Sequence, residues 1–194
     1  MPDHQLILAS TSPFRKTLLN RLQVEFEQVA PDCDETPLPN EPSADLVSRL
    51  AREKALSVQC AVANQNAVVI GSDQVADLDG TILGKPHTHQ AAVQQLQLLS
   101  GNTVVFCTGL CVLHGKQQLQ TVVPTEVKFR TLSDTVIERY LQTDEPYGCA
   151  ASFKSECMGS AMVEYMRSDD PTALVGLPLI ELAGFLNQAG LAIP

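Results

Sequence analysis

The stretch Leu6-Ile7-Leu8-Ala9-Ser10-Thr11-Ser12-Pro13-Phe14-Arg15-Lys16 decides the fold of this chain, because it joins a strand to a helix through one corner. Its apolar start predicts a short strand, its hydroxyl-rich middle predicts a turn, and Pro13 suits the first position of a helix. The free N–H groups of a first helical turn attract anions. Ser10 can donate a hydrogen bond to a phosphate there, and Arg15 can neutralise it. An ordinary capped helix after an edge strand is the alternative explanation.

The composition is that of a globular protein. The 194 residues are 44% hydrophobic and 18% charged, enough to bury a core as a single domain over residues 1–194, or as two closely joined lobes. Thirteen basic and 22 acidic residues give a formal net charge of −9, which opposes nonspecific binding to nucleic acid polymers and to anionic membranes. No apolar stretch has the length of a membrane span, and the first residues lack the features of a secretory signal. We therefore expect a cytoplasmic protein.

Predicted strands and helices alternate along the rest of the chain. Strands are expected at residues 25–30, 67–72, 104–113, 119–129, 150–153 and 161–167. Helices are expected from a cap at Ser43 to about Ala63, from a cap at Thr88 to Gly101, after a cap at Ser133, and from Pro178 to about Gly190. This alternation, with one antiparallel pair inserted, predicts an α/β fold with a mixed β-sheet and flanking helices.

The long helix predicted from Ser43 carries a lysine on its apolar face. Lys54 falls in the middle of the arc that apolar side chains cover at about 100° per residue, namely Leu46, Val47, Leu50, Ala51, Val58, Ala61 and Val62. An isolated buried ammonium is unfavourable, so Lys54 either extends to solvent or meets an anion. Helix geometry alone leaves both alternatives open.

Two further residues, Asp73 and Lys85, are candidate ligands. Asp73 comes directly after the strand at residues 67–72, and ligands of open α/β sheets gather where strands end. A structural aspartate that caps the next turn is the alternative. Lys85 lies between Gly84 and Pro86, whose restricted backbone suits a positioned charge.

Several ordered motifs, spread over nearly the whole chain, resemble those of the Maf nucleotide pyrophosphatases. They are Leu8-Ala9-Ser10-Thr11-Ser12-Pro13-Phe14-Arg15, Asp34-Glu35, Arg49-Leu50-Ala51-Arg52-Glu53-Lys54-Ala55, Gly71-Ser72-Asp73-Gln74, Gly84-Lys85-Pro86, Ser100-Gly101 and Val175-Gly176-Leu177-Pro178. Their agreement in order and spacing is more specific than any single motif. The resemblance implies an elongated mixed α/β fold, Maf/ITPase-like, with two lobes around a nucleotide-binding cleft.

The resemblance also implies an activity, the cleavage of a nucleoside triphosphate to the monophosphate and pyrophosphate. Asp73 is then the proton acceptor, and Lys54 and Lys85 are further catalytic residues. Ser10 and Arg15 bind the substrate. This agrees with the chemistry of the residues, since a triphosphate needs several cations before water can attack it.

A divalent metal cofactor, Mg²⁺ or Mn²⁺, is part of what the resemblance implies. Glu35 and Asp73 are the ligands, and their hard oxygen atoms suit either ion. The nucleoside triphosphate substrate is the expected partner, and a homodimer is left open.

Three positions match residues that read the base within the family, and they resemble the 7-methyl-GTP branch. They are Phe14, Gln74 and Glu156. A carboxylate can accept from guanine N1–H and N2–H together, and N7-methylation makes the base cationic, which improves stacking on an aromatic ring. The branch usually has tryptophan at the position of Phe14. Core packing of Phe14 and an ion pair between Glu156 and Lys154 are the alternatives.

Two other functions stay open on the sequence alone. A dTTP and UTP pyrophosphatase of the same family would favour arginine, threonine and glutamine at the three base-reading positions, which this chain lacks there. A regulator of septum formation that binds a nucleotide without hydrolysing it is the other alternative, and the full set of Glu35, Lys54, Asp73 and Lys85 disfavours it.

Overall fold

The computed structural model describes residues 5–64 and 66–193. Its strands are β1 (Leu6–Ala9), β2 (Glu27–Val29), β3 (Val68–Leu78), β4 (Thr81–Leu83), β5 (Thr103–His114), β6 (Gln117–Phe129) and β7 (Val163–Arg167). Its α-helices are α1 (Pro13–Asn20), α2 (Ser43–Ala61), α3 (His89–Leu99), α4 (Asp134–Asp144) and α5 (Leu179–Gln188). All of the predicted helices and most of the predicted strands are therefore confirmed.

Within the described residues, the strands form one mixed sheet in the order β2-β1-β3-β5-β6-β7, with β4 paired to β3. β1 runs parallel to β2 and β3, whereas β3, β5, β6 and β7 pair antiparallel. The predicted α/β fold with a mixed sheet is confirmed. The first corner also forms as predicted, because Pro13 begins α1 and the Ser12 hydroxyl accepts from the Arg15 N–H.

β3 is longer than the sequence predicts. It runs through Asp73 to Leu78, so the prediction that Asp73 follows the end of a strand is wrong. The reason is its partner, since β5 continues alongside and places Gly109 opposite Asp73. β1, in contrast, ends at Ala9 opposite Gly71. Asp73 therefore lies just beyond the end of the parallel pair, next to the corner that follows β1.

The predicted cap of α2 is also wrong. Pro42 takes the N-cap position, and Ser43 is the first residue of the helix. The Ser43 hydroxyl donates instead to the Asp77 carboxylate on β3 at 2.6 Å. The start of α2 is thus fixed by a contact to the sheet, which sequence spacing does not reveal.

Residues 150–153 form a turn rather than the predicted strand. Ala150–Ser152 is a 3₁₀ turn in which Ala151 and Ser152 have φ angles of 51° and 57°, a region that residues other than glycine rarely adopt. The buried Tyr140 hydroxyl donates to the Ser152 carbonyl at 3.0 Å and accepts from the Lys154 N–H at 2.9 Å. Burial raises the pKa of Tyr140, so its hydroxyl keeps the proton that this turn uses.

Apolar side chains cluster at both ends of the long strands. One cluster packs α1 and α5 against β1 and the first half of β3. Another packs α3 and α4 against the start of β5 and the end of β6. These clusters correspond to the expected lobes. No helix in the described ranges is long and apolar enough to cross a membrane.

α2 lies very close to the sheet at two glycines. A Cβ atom added to Gly71 would overlap the carbonyl oxygen of Ala51, and one added to Gly109 would overlap that of Val47. Only glycine allows this approach of backbone to backbone. As a result Lys54, on the inward face of α2, is buried at 5% exposure, which confirms its predicted place on that face.

We expect Gly71→Ala to destabilise the protein by about 1–3 kcal/mol, because the new methyl group pushes α2 away from β3. Gly184→Ala is the matched control, since Gly184 lies inside α5 with open space around an added Cβ. Alanine there should stabilise the helix by up to about 1 kcal/mol. Urea unfolding measures both changes, and equal stability of the two variants would contradict the close packing of α2.

Candidate active site

A cavity of about 260 Å³ lies beside the corner between β1 and α1. Eight of the nine site residues predicted from the sequence line it, from α1, α2, β3 and the loops between elements. The ninth, Asp73, is only 6% exposed and reaches the cavity through its contact with Lys54. Residues from distant parts of the chain therefore meet at one place.

The corner after β1 presents a hydroxyl and a guanidinium to this cavity. The Ser10 hydroxyl accepts from the backbone N–H two residues later at 3.1 Å and from Arg15 Nη1 at 3.4 Å. Its own proton donates to no residue that the structure describes, so it can donate to an anion. Arg15 Nε donates to the Gly176 carbonyl at 2.9 Å, which fixes the direction of the guanidinium. Burial lowers the pKa of Arg15, while the Asp73 and Glu35 carboxylates act in the opposite direction.

Lys54 bridges two carboxylates. Its ammonium donates to Asp73 Oδ1 at 2.6 Å and lies 3.0 Å from Glu35 Oε1. Of the two alternatives that the helix pattern left open, Lys54 therefore meets anions rather than extending to solvent. Such pairing is what a buried ammonium requires.

Glu35 and Asp73 are the carboxylates that could hold a divalent cation. Both place an oxygen within 3.0 Å of the same Lys54 ammonium, so the two carboxylates lie close together. Nowhere in residues 5–64 or 66–193 do three His, Cys, Asp or Glu side chains converge as a metal site. Mg²⁺ commonly binds one or two carboxylates and completes its shell with water and substrate phosphates, so this donor pair fits Mg²⁺ or Mn²⁺.

Lys85 lines the cavity as an exposed side chain, in the segment that follows β4. Its neighbour Gly84 is held by two hydrogen bonds, from the Ala151 N–H at 3.1 Å and from Gln95 Nε2 at 3.0 Å. The Lys85 ammonium itself makes no hydrogen bond or ion pair with the described part of the chain. A fixed backbone and an unused ammonium together suit an anionic ligand.

Gln74 presents an acceptor to the cavity. Its Nε2 donates to Thr108 Oγ1 at 2.9 Å and to the carbonyls of Ala173 and Leu174 at 2.8 and 3.0 Å. The reversed amide would place Oε1 against two carbonyl oxygens, so these contacts fix the orientation. Gln74 Oε1 accepts no hydrogen bond from the residues that the structure describes. It remains available to a ligand N–H.

The two remaining predicted residues, Phe14 and Glu156, also line the cavity. Phe14 is half-buried and lines the cavity, with the Lys154 ammonium 6.0 Å from its ring centroid. Lys154 donates to the Asp144 carbonyl at 2.6 Å, whereas Glu156 accepts from the Ser155 hydroxyl at 3.3 Å. The alternative pair of Glu156 with Lys154 is therefore not formed, and the exposed Glu156 carboxylate lines the cavity.

Sequence reasoning missed the backbone carbonyls of residues 173–176. Besides Arg15, the Gly176 carbonyl binds the buried Ser72 hydroxyl at 2.9 Å. Asp170, at 1% exposure, holds this segment by accepting from the Thr172 and Ile180 N–H groups at 2.9 and 2.7 Å. Carbonyl groups leave no side-chain signal, so only the motif Val175-Gly176-Leu177-Pro178 pointed to this region.

Comparison with known proteins gives consistent matches over the whole chain. Residues 5–189 match the family described as Maf-like protein. A protein named 7-methyl-GTP pyrophosphatase from Nitrosococcus oceani is 54% identical over 187 residues, covering 95% of this chain and 93% of the relative. A protein of the same name from Aromatoleum aromaticum is 52% identical over 98% of this chain and 98% of the relative. Another, from Xanthomonas axonopodis, is 51% identical over 98% of this chain and 99% of the relative. The chain therefore belongs to the Maf family.

Proposed function

We propose that this protein hydrolyses 7-methyl-GTP to 7-methyl-GMP and pyrophosphate, with a divalent metal cation as cofactor. The observation that carries the proposal is the buried Lys54 ammonium between Asp73 and Glu35, beside the corner that presents Ser10 and Arg15. The name that the relatives share, at about half identity over their full length, supports the same substrate.

The cations of the cavity suit a triphosphate. Arg15, Lys54 and Lys85 lie around the cavity, and Ser10 adds a hydroxyl whose proton no described residue accepts. Donors that are already oriented stabilise developing charge on phosphate oxygens without reorganising in the reaction. In a protein with a formal charge of −9, this local cluster is what attracts an anionic substrate.

Asp73 is the proposed proton acceptor for the attacking water. One of its oxygens binds Lys54, and the other makes no hydrogen bond to the described residues. That second oxygen can orient a water molecule and take its proton. When bound by Glu35 and Asp73, Mg²⁺ or Mn²⁺ would neutralise charge on the phosphate oxygens as a Lewis acid.

The base side of the cavity favours a guanine edge. Gln74 Oε1 and the Glu156 carboxylate are both acceptors, and guanine offers N–H donors at N1 and N2. Uracil and thymine carry one such donor between two carbonyls, which these acceptors would repel. The Phe14 ring provides a stacking surface for a cationic methylated base.

Pyrophosphate release from a nucleotide panel tests the proposed function. With Mg²⁺ or Mn²⁺ we expect the highest kcat/KM for 7-methyl-GTP, lower values for GTP, and the lowest for dTTP and UTP. A preference for dTTP or UTP would support the pyrimidine-specific alternative. Nucleotide binding without any pyrophosphate release would support the regulatory alternative.

We expect Asp73→Asn to lower kcat at least about a hundredfold, the usual scale of lost acid–base catalysis, because the amide keeps the shape but cannot accept the proton. Asp79→Asn is the matched control, since Asp79 is exposed in the turn after β3 and Asn-Gly suits that turn. Steady-state turnover and a thermal melt are measured for both variants. Turnover of Asp73→Asn near that of the control would remove Asp73 from the mechanism.

We expect Glu156→Gln to reduce selectivity for the guanine base. Losing one charge-assisted hydrogen bond should cost about 1.5–3 kcal/mol, or roughly ten- to a hundredfold in kcat/KM for 7-methyl-GTP. UTP should gain by comparison, because the new amide can donate to its carbonyls. Glu164→Gln, an exposed site on β7, controls for charge. An unchanged ratio of kcat/KM between the two nucleotides would mean that Glu156 does not read the base.

A further inference from the structure

Glu35 lies in a segment that has neither helix nor strand. Residues 30–38 form no regular element, and the Glu35 side chain is 58% exposed. Within the segment the Thr36 N–H donates to Asp34 Oδ1 at 2.9 Å, and before Glu35 the Asp32 N–H donates to the Ser57 hydroxyl of α2 at 3.2 Å. A carboxylate on such a loop needs an anchor from a rigid element if it is to hold a fixed geometry.

Arg49 on α2 supplies that anchor. Its guanidinium donates to the Glu41 carboxylate through Nε and Nη2, both at 2.7 Å, in a bidentate pair. The same Nη2 donates to the carbonyl of Thr36 at 3.2 Å. Nη1 donates to Glu53, four residues along α2, at 3.1 Å, which fixes the guanidinium on the helix. Arg49 thus ties residues 36 and 41 of the loop to α2.

This anchor lies one residue from the candidate metal ligand. Thr36 directly follows Glu35, and Lys54, which contacts the Glu35 carboxylate, lies five residues after Arg49 on the same helix. α2 therefore holds the backbone next to Glu35 through one side chain and the Glu35 carboxylate through another. The hydrogen bonds from Arg49 lower the pKa of Glu41 to about 2, so the pair stays ionised at any pH at which the enzyme works.

We propose that Arg49 is a positioning residue for Glu35 and thereby sets the affinity of the site for its divalent cation, without touching the nucleotide. This inference rests on the proposed function, because it takes Glu35 as a metal ligand. Arg49 is absent from the residues that line the cavity, so its removal should affect metal binding more than nucleotide binding. Loss of a partner that orients a metal ligand typically weakens metal affinity by about 10- to 100-fold.

The chain offers a matched control on the same helix. Arg52 is exposed and donates to Gln118 at 3.0 Å, away from the loop. Arg49→Met and Arg52→Met remove the same charge from α2, but only the first releases residues 36 and 41. Arg49→Lys keeps the charge without the planar fork and should lie between wild type and Arg49→Met.

Mn²⁺ binding tests the proposal directly. Free Mn²⁺ is measured by electron paramagnetic resonance in the presence of α,β-methylene-GTP, whose α–β bridge cannot be hydrolysed. For Arg49→Met we expect the Kd for Mn²⁺ to rise about tenfold or more. The KM for nucleotide at saturating Mn²⁺ should change less than about threefold. Arg52→Met should match wild type in both quantities.

A merely structural role gives a different result. If Arg49→Met lowers the thermal midpoint but binds Mn²⁺ as Arg52→Met does, the proposal is overturned. If Arg49→Met does not fold, Glu41→Gln breaks the same ion pair from the loop side and should also raise the Kd for Mn²⁺. An unchanged Kd for Mn²⁺ in Glu41→Gln would overturn the proposal as well. Failure of the proposed function is separate, because it shows as absent pyrophosphate release by wild type, while the Mn²⁺ measurement needs no turnover.

Discussion

The close contact between α2 and the sheet at Gly71 and Gly109 is the constraint on which the site depends. These glycines let the helix backbone lie against β3 and β5, with the carbonyls of Ala51 and Val47 where side chains would otherwise stand. That approach brings Lys54 within 2.6 Å of Asp73. A wider spacing would leave a buried carboxylate and a buried ammonium apart, and each would then be costly.

The segment at residues 170–178 contacts two side chains that line the cavity, Arg15 and Gln74. The Gly176 carbonyl orients Arg15, and the carbonyls of Ala173 and Leu174 orient Gln74. The buried Asp170 carboxylate holds this segment to the start of α5. One short stretch of backbone therefore positions side chains that lie about a hundred or more residues earlier in the chain.

Much of the fold could be predicted because its signals are local. The apolar strand, the hydroxyl-rich turn and Pro13 gave the first corner, and the apolar arc of α2 placed Lys54 on the buried face. The extension of β3 past Asp73 could not be predicted, because its cause is the pairing with β5. The turn at Ala151 was missed for a similar reason, since the Tyr140 hydroxyl on α4 holds it in an unfavourable backbone conformation. The sequence motifs indicated which residues belong to the site. The backbone carbonyls that orient Arg15 and Gln74 could not be predicted, because those contacts arise only from tertiary structure.

The bond that breaks gives the most direct test of the proposed chemistry. Wild-type protein is incubated with 7-methyl-GTP and Mn²⁺, and the products are separated by anion exchange. Cleavage between the α and β phosphates, as proposed, yields 7-methyl-GMP and pyrophosphate in equal amounts. Formation of 7-methyl-GDP and inorganic phosphate, or recovery of intact nucleotide, would contradict it.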